Sequence, residues 1–156
     1  VRLSPAHWLP LLFCSTLVAQ GAIGKPWQGI TPGASTDLEV LGKFGEPSKT
    51  VTSQGVQTLI YSREVAIKGT VQAQFKLNAE KVVVRIDVFP AVALDAAAIE
   101  RGYGPVCAVG HATEPCYAEK RTPTKARYFV YAKLGLAVFF NDDAKTVKLL
   151  AFLPAT

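Results

Sequence analysis

The chain has 156 residues, of which 49% are hydrophobic and 19% charged, with a formal net charge of +5. That balance excludes an intrinsically disordered chain, and the length excludes a large multidomain enzyme. What remains is one ordinary domain, or two small ones sharing a core.

Residues 1–22 hold a single charge, Arg2, then an apolar stretch from Trp8 to Ala19 broken only by Pro10, Ser15 and Thr16, then the small residues Gly21 and Ala22. This order predicts a secretory signal peptide. The stretch is shorter than the roughly 20 residues a membrane-crossing helix needs, so no transmembrane span is expected. A first residue Val1 in a chain without methionine suggests initiation at a GTG codon and a bacterial precursor. Lipidation at Cys14 is argued against by the bulky Phe13 before it and by the short apolar run preceding it. The expected location is therefore the periplasm or the medium. With Cys14 removed, Cys107 and Cys116 remain, an even pair that predicts a disulfide in an oxidising compartment. Their spacing departs from the Cys-x-x-Cys arrangement of redox sites, so a structural staple is expected.

From Ser35 to Pro47 the run STDLEVLGKFGEP predicts a helix. Thr36 and Glu39 form a capping box, Leu38, Val40 and Leu41 make the buried stripe, and Gly45 ends the helix. Strand residues follow around Tyr61. In the next strand Val71, Ala73, Phe75 and Leu77 alternate with Gln72, Gln74 and Lys76. Beyond a turn at Asn78, Val82, Val84, Ile86 and Val88 alternate with Val83, Arg85 and Asp87, so this hairpin has one wet face.

The order then starts again. Leu94 to Pro105 predicts a second helix, capped by Asp95, anchored by Ile99 and ended at Gly104. A strand runs around Tyr131, and a last hairpin turns at Asn141. Self-comparison thus divides the chain into units 23–90 and 91–156, each ending in a strand followed by proline, at Pro90 and Pro154. The second unit has the longer connection between helix and sheet, and it carries both cysteines. Its strands place aromatics on both faces, among them Tyr128, Phe129, Tyr131, Phe139 and Phe140, so some must lie exposed or meet the first unit.

These residues carry a resemblance. The run from Ile30 to Pro47 resembles the opening of small bacterial envelope proteins of the BamE/SmpA type, through Ile30, Gly33, Ser35, Val40, Phe44, Gly45 and Pro47. The run from Tyr131 to Leu153 resembles that family's ending. The duplication, with a cysteine-bearing loop between helix and sheet, is similar to the secreted beta-lactamase inhibitory proteins. The resemblance implies an α+β fold of two tandem helix-plus-antiparallel-sheet units, sheets side by side and helices packed on one face. It also implies protein binding, by analogy of fold.

Little in the chain points to catalysis. After signal removal one histidine is left, His111, with Thr113, Glu114 and Glu119 near it but no nucleophile motif and too few ligands for zinc. The pair Asp142–Asp143 lies in a turn, where such residues satisfy local backbone donors. Gly102 to Pro105 lacks the lysine and hydroxyl of a phosphate loop. No catalytic residue, metal or cofactor is expected.

Loss of Arg2 takes the charge from +5 to +4, shared as eight basic against six acidic residues in each of 25–90 and 91–156. Lys120, Arg121, Lys125, Arg127 and Lys133 nevertheless cluster without an acid among Tyr128, Phe129 and Tyr131. Tyr117, Arg121, Arg127, Phe129 and Tyr131 are the candidate partner-binding residues, forming an aromatic and basic sheet surface. The expected function is a non-enzymatic exported module that binds an unknown protein, and not nucleic acid. The competing expectation is a periplasmic carrier of a small apolar ligand or lipid.

Overall fold

The structure, a computed structural model, describes residues 24–108 and 115–156. The expected signal segment with Cys14, and His111, Thr113 and Glu114, lie outside the described residues.

Helix α1 (Asp37–Phe44) leads to strands β1 (Lys49–Ser53), β2 (Val56–Ser62), β3 (Thr70–Leu77) and β4 (Val83–Pro90). Helix α2 (Ala96–Tyr103) precedes β5 (Ala118–Arg121), β6 (Arg127–Tyr131), β7 (Leu136–Phe140) and β8 (Val147–Phe152). All eight strands join one antiparallel sheet in the order β1-β2-β3-β4-β8-β7-β6-β5.

This corrects the expectation of two tandem helix-plus-sheet units. The described residues form mostly a single eight-stranded sheet with two short helices of eight residues each. The sheet is made continuous by β4 and β8, through the pairs Ile86↔Phe152, Asp87↔Ala151 and Val88↔Leu150. Either strand left as an edge would present unpaired N–H and C=O groups beside apolar side chains, and pairing the two removes both edges. One hydrophobic cluster results, containing Phe75, Ile86, Val138 and Phe152 together.

Both helices start by side-chain capping. The Thr36 N–H donates to the Glu39 carboxylate at 2.7 Å, and the Glu39 N–H donates back to Thr36 Oγ1 at 3.4 Å. Asp95 accepts from the Ala98 N–H at 2.7 Å. Such caps satisfy orphan donors and stabilise a helix by about 1 kcal/mol. Val40 and Ile99 are the buried anchors. Leu38 is not part of the buried stripe: it is 74% exposed, because two positions along a helix turn a side chain to the opposite face from Val40.

Two register shifts also alter the expected alternation. One, between Thr70 and Gln72, buries Thr70 and leaves Val71 58% exposed. In the other, Lys76 pairs with Arg85 and Leu77 with Val83, so that Val83 enters the core. An extra residue in one strand re-aims its side chains in this way.

Candidate binding surface

Residues directly paired across antiparallel strands share a face. Tyr61, Ala73, Val88, Leu150, Val138 and Phe129 form one such row, on the side that carries the helices. The tyrosines of this side reach the helix ends: Tyr61 OH donates to the Gly45 carbonyl and Tyr131 OH to the Gly104 carbonyl, each at 2.8 Å. Gly104, at φ 109°, also passes against the Pro115 carbonyl so closely that a Cβ would collide with it.

Around Tyr131 the sequence candidates come together, but inside the molecule. Phe129 and Tyr131 are 0% exposed and Tyr117 only 4%. The Tyr117 and Phe129 rings stack at 3.8 Å, and Tyr117 OH donates to the Glu100 carboxylate at 2.6 Å. Burial first, then the bond to Glu100, pushes the Tyr117 phenol up to about 12. Burial likewise raises Tyr131, Tyr103 and Tyr61. These phenols act as neutral donors and packing groups. The Cys107–Cys116 disulfide, with its Cα atoms 4.9 Å apart, closes the loop beside them. There Cys107 N–H donates to the Tyr117 carbonyl at 2.8 Å.

Arg127 is half-buried and lies over the Phe129 and Phe140 rings, at 4.8 and 5.1 Å. It pairs with Glu119 at 3.0 Å and donates to the Ala144 carbonyl at 3.2 Å. Arg121 is exposed and reaches Glu119 only at 3.8 Å. Of the five candidates, then, three are core, Arg127 is engaged within the fold, and Arg121 alone is freely exposed. The reason is the two-residue period of a strand: 127, 129 and 131 all point toward the helices.

The residues between them point to the opposite face, which no helix of the described residues covers. Tyr128 pairs with Phe139, and Phe139 with Leu149; Val130 pairs with Ala137, and Ala137 with Ala151. The Tyr128 and Phe139 rings stack at 5.1 Å with 12° between planes. Tyr128, Val130, Phe139 and Leu149 are half-buried above a floor of Ala137 and Ala151, making a contiguous apolar strip. Across the centre of the same face the character changes. Asp87, only 4% exposed, is held by Lys76 at 3.1 Å and Arg85 at 2.7 Å, and Gln72, Gln74, Thr58 and Ser62 extend beyond it. Sequence reasoning did not select Phe139, Val130 or Leu149. The alternation that assigns Phe129 to one face assigns them to the other, and only helix placement decides which is covered.

Among the described residues no helix is long and apolar enough to cross a membrane. No group of three or more histidine, cysteine, aspartate or glutamate residues among them could hold a metal ion. In the turn after β7, Asp143 accepts from the Lys145 and Thr146 N–H groups at 2.8 and 2.9 Å, and these bonds hold its carboxyl below the ordinary value.

No protein-family model and no curated protein matches this sequence. Among solved structures, the chain is similar to the crystal structure of a DUF4309 family protein, YjgB, from Bacillus subtilis subsp. subtilis str. 168. The identity is 16%, covering 86% of this chain and 88% of that chain, with a TM-score of 0.56. At that identity the likeness speaks to the fold alone.

Proposed function

We propose that this chain is an exported, non-enzymatic module that docks a protein partner on the uncovered face of its sheet. The carrying observation is the apolar strip of Tyr128, Val130, Phe139 and Leu149 on a face that no helix of the described residues covers. A contiguous apolar strip left half-exposed in this way suits an interaction site, and stacked aromatics make effective anchors. Lys120, which pairs with Tyr128 on the same face, and the one positive charge by which Lys76 and Arg85 exceed Asp87 favour a partner whose rim is acidic. The cap, helix and Gly-x-Pro pattern from Ile30 to Pro47 supports kinship with the BamE/SmpA type, the disulfide loop between helix and sheet supports kinship with the beta-lactamase inhibitory proteins, and the apolar leader supports export.

The test is capture of partners from the native envelope and culture fluid, with tagged protein beside a Tyr128→Glu/Phe139→Glu variant. Any partner retained by the parent alone is purified and its affinity measured directly. A loss of about tenfold or more in the variant is expected from removing two central anchors. Equal affinity of parent and variant overturns this surface.

A further inference from the structure

The helix side of the sheet is not fully closed. Between α2 and the N-terminal segment Gly24–Ile30 lies a groove of about 300 Å³, whose floor is Val88, Ile99, Leu150 and Phe152. It sits over the centre of the sheet, where β4 meets β8. Trp27 forms one wall, packed on Phe44 and Phe75, and Tyr103 forms another.

Its charged groups are of one sign, and Gln28 and Thr70 are its neutral polar lining. Lys68 lines the groove, and the Lys25 amine lies 5.4 Å over the Tyr103 ring. Neither lysine is within ion-pair distance of a carboxylate of the described residues, and no acid among the described residues lines the groove. The Tyr103 hydroxyl donates to no other described residue, and burial keeps it protonated as a donor. An apolar floor with a few donors and cations at its rim suits an amphipathic anion better than a neutral lipid or a second protein chain.

We propose that this groove binds a small amphipathic carboxylate, with its chain on Val88, Ile99, Leu150 and Phe152 and its carboxylate toward Lys68, Lys25 and Tyr103. The size fits a ligand with a chain of about eight carbons, near the lower limit of small-molecule pockets. This site is on the opposite side of the sheet from the proposed protein-docking strip and stands independently of it.

Calorimetric titration of the full chain with octanoate, and separately with octanol, tests the assignment. Saturable binding of one octanoate is expected, tighter than that of octanol. Lys68→Ala should weaken octanoate by about two- to fivefold and leave octanol unchanged, as for a partly solvated charge pair. Val92, 65% exposed at the groove, can be replaced without disturbing the core, and Val92→Asp should weaken octanoate by a similar factor through repulsion. Ala98→Phe, which fills the groove, should abolish binding of both probes, with circular dichroism confirming the fold. Tyr128→Glu/Phe139→Glu should bind octanoate as the parent does. Absence of saturable octanoate binding overturns the proposal, and so does binding that Val92→Asp and Ala98→Phe both leave intact. Octanol bound as tightly as octanoate overturns its anionic part.

Discussion

The two halves of the sheet solve the same packing problem in the same way and then diverge on the side that packing does not use. On the helix side, Tyr61 and Tyr131 each donate to the carbonyl of the glycine ending a helix, at the same 2.8 Å. Around Tyr61 the neighbours are apolar aromatics, with Phe44 at 5.9 Å and Phe75 at 5.7 Å. Around Tyr131 they are Tyr103 and Tyr117, with Glu100 and the disulfide behind them. On the uncovered side, Thr58, Gln72 and Gln74 of the first half face water, whereas Tyr128, Val130 and Phe139 of the second make an apolar strip. Helix packing constrains one face of the sheet and leaves the composition of the other free to differ between the halves.

Core substitutions break that comparison most severely. Phe129→Ala should cost about 3–5 kcal/mol in denaturant unfolding, and so should Phe75→Ala in the first half, since each empties a fully buried aromatic site. Stability unchanged in Phe129→Ala would return this residue to the surface. Reduction of Cys107–Cys116 should come next, at about 2–3 kcal/mol for a loop of this length on the chain-entropy model, read as a fall in Tm.

Tyr131→Phe and Tyr61→Phe should each cost about 1 kcal/mol by leaving a glycine carbonyl without its donor. A clear difference between them would show that the Glu100 and Tyr117 neighbourhood compensates for the missing hydroxyl. Alkaline pH separates the halves further. A tyrosine with a raised folded value keeps its proton while the unfolded chain loses it above about pH 10. The stabilisation is therefore full below pH 10 and is lost as pH rises through the folded values, about 12 for Tyr117. Three of the four raised tyrosines, Tyr103, Tyr117 and Tyr131, lie in the second half. Unfolding followed between pH 9 and 12 should show that steep loss, and a flatter one in Tyr117→Phe. Tyr128→Glu should cost about 0.5–1.5 kcal/mol through loss of the stack on Phe139, with the core left intact, even as it removes the proposed binding anchor.

Much of the local structure is legible in the sequence. Thr36 with Glu39, Asp95 before its alanines, and the turns at Asn78 and Asn141 involve groups a few residues apart, so neighbouring side chains suffice to specify them. The cluster from Tyr117 to Tyr131 was legible as a concentration of aromatic and basic residues, but not as core. An alternating strand announces that it has two faces, and nothing within it says which face a distant helix will cover.

The sequence by itself thus determined the caps, the turns and the two-faced character of the strands, because short-range hydrogen bonds and side-chain periodicity set them. The tertiary structure alone decided that β4 and β8 pair into one sheet, that bulges expose Val71 and bury Val83, and that Phe129 is covered while Phe139 is not. Each of those outcomes depends on register and contact between segments far apart in the chain, where burial of a shared apolar face outweighs local preference.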